Sequence, residues 1–200
     1  MSNKFLECTF QLLYLPVDKK EKIIHGAMKL LIENGMQATP MSAIAKEAGT
    51  GMGTIYNYFA TKEELVNSIF IFIKQDQIKN IMIPLTDKDI KKQFDHYYRG
   101  IIQYLINHPS YFHYLDQFHS SPVLSIAVRD QGLKIITPIV DLIMEGQKQG
   151  LIKSIGIREL LEFLDGGLMG FVRWLLVDKK SLSTLLLDNQ VLIAWDAIKQ

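Results

Sequence analysis

Several things are scarce in this sequence, and each scarcity removes a class of protein. There is one cysteine, Cys8, in 200 residues, so no internal disulfide is possible and no cysteine-rich metal cluster can form. Neither sign of charge is in excess: 22 basic side chains face 21 acidic ones, a formal net charge of +1. A polybasic coat for nucleic acid and an acidic tail are both excluded, and any contact with a polyanion must come from local placement of donors. Long apolar runs are absent too. No stretch reaches the roughly 20 uninterrupted apolar residues of a membrane span. The run Phe5–Leu15 is broken by Glu7 and Gln11, is preceded only by Lys4 and leads to no small-residue cleavage site, which argues against a secretory leader. A cytoplasmic protein with no membrane contact is expected, with residues 1–17 as an extra arm or short helix. Sustained alternation of apolar and polar residues is missing, and neither Asn-Gly nor Asp-Gly stands between alternating runs, so strands and hairpins are not expected.

What is present is 48% hydrophobic and mostly of helical period. Asp18-Lys19-Lys20-Glu21 reads as a capping box opening a helix with Ile23, Ala27, Leu30 and Leu31 on one stripe, closed by Asn34-Gly35. Thr39-Pro40 opens a second, short helix, the threonine capping and the proline at the first helical position. Its inward residues are Ile44, Ala45 and Ala48, and Gly49 closes it. Thr50-Gly51 make a turn, and Met52–Phe59 form a third helix. Thr61-Lys62-Glu63-Glu64 is a second capping box, opening a long helix that Pro84 ends. Further helices are predicted over 87–108, 109–119, 122–150, 157–178 and 182–198, with Pro138 kinking or splitting the third of these. The expected fold is all-α: an arm (1–17), a three-helix head (18–65) and a larger helical domain (66–200).

The informative segment is Ala38–Leu65, ATPMSAIAKEAGTGMGTIYNYFATKEEL. Small residues at Ala45, Ala48 and Gly49 let two short helices cross closely, Ile44, Ile55 and Phe59 fill the core between them, and Thr54, Asn57 and Tyr58 are left facing outward. Hydroxyls and amides on an outward helix suit phosphate oxygens and base edges in the major groove. The segment resembles the TetR family of transcriptional regulators through Thr39, Met41, Ile44, Ala45, Ala48 and Gly49, then Gly53, Thr54, Ile55, Tyr56, Tyr58 and Phe59, then Lys62 and Glu63. The resemblance implies a helix-turn-helix with phosphate contacts from Thr39, Tyr56 and Lys62. Thr50, Gly51, Met52, Gly53, Thr54, Tyr56, Asn57 and Tyr58 would face the major groove, with Ser42 beside them. It also implies no cofactor, a ligand-responsive repressor rather than an enzyme, and three partners: double-stranded operator DNA, a small apolar or amphiphilic ligand and a second copy of the chain. The chain departs from the family at Gly51 and Met52, where a hydroxyl and a polar or basic residue are common. Six lysines balance six carboxylates over residues 18–65. Binding would then rest on where the lysines and helix N-termini sit, and would weaken with salt. A small-molecule receptor or interaction module with weakened DNA binding is the alternative.

In the second half, aromatic residues exceed what one packed face needs. Phe72, Tyr97, Tyr98, Tyr104, Phe112, Phe118, Met144 and Phe171 are the candidate pocket lining, against the plainer reading of a helical core. Leu160, Leu164, Leu168, Phe171 and Leu175 form one stripe near the C-terminus. With Gly167, Trp174, Leu186 and Ile193 they suggest a two-fold four-helix dimer interface. The five histidines have no metal spacing, no Ser–His–Asp arrangement can be assembled, and Gly49–Gly53 lacks the strand and Gly-Lys-Ser/Thr of a phosphate loop.

Overall fold

A computed structural model describes residues 19–81 and 88–200. The expectations for the arm 1–17, the Asp18 cap and Pro84 lie outside the described residues. Ten α-helices are present among them: α1 Lys19–Asn34, α2 Met41–Glu47, α3 Met52–Tyr58, α4 Lys62–Ile81, α5 Ile90–Asn107, α6 Pro109–Phe118, α7 Ile126–Ile135, α8 Thr137–Lys148, α9 Ile157–Val177 and α10 Thr184–Ile198. Among the described residues there is no strand beyond an isolated bridge, Ile152 to Lys199, and no helix long and apolar enough to cross a membrane. The chain divides into two compact units, the first ending at Ile69 and the second running from Phe70 to Gln200; α4 gives residues to both.

In the first unit, α1 buries Ile23, Ile24, Ala27, Met28 and Leu31. Leu30, expected on this stripe, is only half-buried, because the buried arc is centred on Ala27 and Leu31. Ile44, Ala45, Ile55, Phe59, Leu65, Val66 and Ile69 complete the core. The turns need glycine where the sequence has it: Gly35 closes α1 at φ +75° and Gly49 follows α2 at φ +63°, a region where a Cβ is strained. Thr61 caps α4 by accepting from the Glu64 amide at 3.1 Å, and the Glu64 carboxylate accepts in return from the Ala60 amide at 2.8 Å. The box therefore closes one residue before the cap.

Thr39 does not cap α2. That helix has Pro40 at its N-cap with no side-chain bond, and Thr39 is 1% exposed. Its hydroxyl donates to the carbonyls of Gly35 at 2.7 Å and Leu30 at 3.1 Å, satisfying oxygens at the open end of α1. The adjacent Lys62 ammonium donates to the Met36 carbonyl at 2.7 Å and the Thr39 carbonyl at 3.2 Å. Together they staple the α1–α2 connection.

The second unit is built around α5, which packs against α6, α8, α9 and α10. Asp89 caps α5 by accepting from the Lys92 amide, and Pro109 occupies the first turn of α6. Phe94 stacks on Tyr98 at 5.4 Å and meets Trp195 of α10 at 5.4 Å. The helix expected over 122–150 is two helices, broken at Ile136 with Pro138 in the first turn of α8. It also begins later than Ser121-Pro122, because Ser125 supplies the cap to the Val128 amide. Arg129 holds the preceding turn in place by donating to the carbonyls of His119, Ser121 and Leu124. The C-terminus is tied to the loop before α9 by Lys153 N–H to the Ile198 carbonyl and Gln200 N–H to the Leu151 carbonyl.

Candidate functional site

In α3 a single residue faces inward. Ile55 is fully buried and Phe59 at the C-cap is 1% exposed. Gly51, Met52, Gly53, Tyr56, Asn57 and Tyr58 are exposed, and Thr50 and Thr54 are half-buried. Tyr56 is half exposed, at 50%, so its ring and hydroxyl stand clear of the core. A Cβ added at Gly51 or Gly53 would meet nothing within 4 Å. The face is therefore open to a flat or grooved partner, and its chemistry is neutral: hydroxyls, one carboxamide, a thioether and bare backbone. Ser42 is exposed on α2 near its start, and Lys46 is exposed toward its end. Lys29 and Glu47 pair at 2.7 Å, and this bond raises the Lys29 pKa.

Two of the residues assigned to phosphate contacts are spoken for. The Thr39 hydroxyl is buried on two carbonyls, and two of the three Lys62 N–H donors are engaged on carbonyls. They fix the connection from which α2 and α3 project. Of the three, Tyr56 remains free to reach a phosphate.

The second unit contains a cavity of about 150 Å³. Tyr97 and Tyr98 line it, as expected from the sequence. The other six aromatic and methionine candidates are placed elsewhere. Phe72 meets Tyr111 edge-on at 6.1 Å, the Tyr104 hydroxyl donates to Asp76 at 2.5 Å, and Phe118 stacks on Tyr114 at 4.7 Å. Phe112 is fully packed, Met144 is 52% exposed, and Phe171 neighbours Trp174 at 6.0 Å. Ring contacts away from the cavity engage Phe72, Phe118 and Phe171, and the Asp76 carboxylate engages Tyr104. Burial raises the phenol pKa of Tyr98, Tyr104 and Tyr114, with the Asp76 carboxylate adding to the effect at Tyr104. Sequence reasoning missed the two polar α4 residues at the cavity, Lys74 and Gln77; they stand in a polar run that resembles a solvated face.

The C-terminal helices present apolar surface in a register half a turn from the expected one. Leu160, Leu164, Leu168 and Leu175 are buried within the chain, so that stripe is core. Phe163, Gly166, Gly167, Trp174 and Val177 form the outward stripe, and Leu185, Leu192 and Ile193 are exposed on α10. Gly167, Trp174 and Ile193 thus remain on the surface; Leu164 and Leu168 do not, and Leu186 and Phe171 are half-buried.

Residues 23–69 match the family model described as bacterial regulatory proteins, tetR family. The chain is similar to YhgD of Bacillus subtilis strain 168, an uncharacterized HTH-type transcriptional regulator, at 27% identity over 142 residues, covering 70% of this chain and 67% of that protein. The fatty acid metabolism regulator protein of the same organism is 44% identical over 52 residues, 26% of this chain and 27% of its own. Among solved structures, a TetR family transcription regulator from Marinobacter aquaeolei VT8 superposes with a TM-score of 0.83 at 20% identity, covering 91% of this chain and 96% of the other. The fatty acid degradation regulator FadR from Bacillus halodurans gives 0.73 at 22% identity, covering 91% and 97%.

Proposed function

Because the chain belongs to the tetR family of bacterial regulatory proteins, we propose that this transcriptional regulator is a homodimeric, cytoplasmic repressor that grips operator DNA through α3. A small molecule in the cavity of the second unit would release it. The supporting observation is the outward face of α3: one buried isoleucine beneath, and Met52, Tyr56, Asn57 and Tyr58 exposed above. Tyr56 would hold a phosphate; Thr54, Asn57 and Tyr58 would meet base edges or sugar, and Met52 a thymine methyl. Bare backbone at Gly51 and Gly53 allows close approach, and Thr50 and Ser42 flank it. The function is one of binding rather than catalysis, and the domain division is head and effector domain.

Dimerisation is supported by the outward stripe of α9 and its neighbours on α10. Phe163, Trp174, Val177, Leu185, Leu192 and Ile193 are large apolar side chains exposed on these two helices, and a two-fold four-helix seam would cover them. Two heads related in this way address half-sites about 34 Å apart or somewhat more. Ligand control requires two states of the dimer with different affinity for both DNA and ligand. The helix α4 is the element that supplies residues to both units.

A second function is favoured by one observation: α3 carries no basic side chain. With a head of balanced charge this fits a receptor that binds its ligand and holds DNA weakly. The test is selection of bound fragments from genomic DNA, followed by release with candidate ligands, with sedimentation of the protein alongside. A recovered palindromic sequence, a dimer, and a ligand that lowers operator affinity support the repressor. A ligand that binds tightly and leaves operator affinity unchanged overturns the release step.

A further inference from the structure

We propose that the cavity of the second unit takes a small, largely apolar molecule bearing one uncharged hydrogen-bonding group, a hydroxyl, carbonyl or amide, which pairs with the Gln77 side chain. The inference rests on the ligand-responsive function above and names the class of ligand that site accepts.

Two polar residues are buried among the described residues, Thr39 and Gln77. Thr39 is satisfied by the two carbonyls of the α1–α2 connection. Gln77, 4% exposed, has no hydrogen-bond partner among the described residues. No buried side-chain nitrogen or oxygen is walled off unpaired either, so its carboxamide opens onto the cavity that it lines. Water in the cavity can reach that carboxamide, and a ligand that displaces the water loses affinity unless it supplies a group that pairs with the amide. Gln77 offers both a donor and an acceptor, matched by a hydroxyl, carbonyl or amide.

The remaining walls define the rest of the molecule. Phe94, Ile101, Ile139 and Ile143 are apolar. At about 150 Å³, the space matches cavities known to admit a benzene-sized guest, so a single ring or short chain fits it as it stands. Charge does not favour an ion. The Arg129 guanidinium is committed to three carbonyls, and Lys74 lies over the Phe70 ring at 5.8 Å. The positive charges of Lys74 and Arg158 are offset by Glu162 and Asp165. A desolvated carboxylate needs a cation with free hydrogen-bond donors; the donors of Arg129 are taken by carbonyls, and Lys74 and Arg158 stand against Glu162 and Asp165.

The experiment is calorimetric titration of the full chain, wild type and Gln77→Met, with four probes: toluene, phenol, benzoate and benzylamine. The expected result is that phenol binds the wild type about tenfold tighter than toluene, the worth of one hydrogen bond. Gln77→Met should abolish or reverse that preference. Equal affinity of wild type for phenol and toluene, tightest binding by benzoate or benzylamine, or no binding by any probe would overturn the proposal. Binding is read directly, so the two proposals fail separately. Phenol preference without any loss of DNA affinity leaves the Gln77 pairing standing and removes the release step. Release by a different molecule, with phenol and toluene equal, does the reverse.

Discussion

In the first unit the side chains that bear chemistry stand on a seven-residue helix whose inner face is one isoleucine. In the second they stand around a cavity bounded by several helices of ten residues or more. The first arrangement commits one residue of α3 to the core, so the placement of that helix depends on Ile55, on Phe59 at its end and on the two stapling side chains. The second spreads stability over many contacts and can turn one amide, Gln77, toward the cavity. A surface that reads a large partner needs its donors outside; a pocket for a small one needs them inside with water excluded. The difference also fixes where substitutions should hurt.

The sharpest way to break the comparison is to remove Phe59, the largest side chain in the head core. Phe59→Ala should cost about 3–5 kcal/mol, melting the first unit while the second keeps its cooperative transition. Circular dichroism melts resolved into two steps would register this, and a single shared transition would mean that the units do not fold separately. Alkaline pH should act on the second unit. Tyr98, Tyr104 and Tyr114 are held above the ordinary value of 10.0 chiefly by burial. Below about pH 10 these phenols are neutral in both folded and unfolded chains; above it only the unfolded chain ionises. Stability should fall as pH rises past about 10, by roughly 1.4 kcal/mol per pH unit for each of Tyr104 and Tyr114. Urea titrations between pH 8 and 11 that stayed flat would refute the burial of these phenols. A smaller effect separates scaffold from surface in the head. Thr39→Val should lower the stability of the first unit by about 1 kcal/mol and leave the DNA affinity of the folded protein unchanged. Weakened DNA binding at constant stability would instead return Thr39 to the phosphate contacts.

The head was legible because its signals are short-range and rigid. Gly35 and Gly49 mark positions that require positive φ, and Ile44, Ile55 and Phe59 are spaced for one small core. Thr39 was misread because Thr-Pro before a helix resembles a cap, while its hydroxyl turns back to the carbonyls of Gly35 and Leu30, four and nine residues earlier. In the 21-residue α9, two stripes half a turn apart are both apolar or small. Periodicity alone does not say whether the leucines or Phe163, the glycines and Trp174 face inward. The aromatic pocket was over-assigned for a related reason: rings at helical spacing serve core and cavity alike, and only the packing showed that Tyr97 and Tyr98 reach the space while Phe112 and Phe118 do not. Gln77 had no local signal, since its burial comes from other helices closing over α4.

The most direct test of the central claim, that α3 is the surface that reads DNA, is a fluorescence-anisotropy titration on DNA from upstream of the protein's own gene. Wild type would be compared with a Thr54→Ala/Tyr56→Ala double variant across a salt series. The account expects tight, salt-sensitive binding by the wild type and a loss of at least tenfold in the variant, with unchanged melting. Binding by the wild type that the double variant retains in full would contradict it.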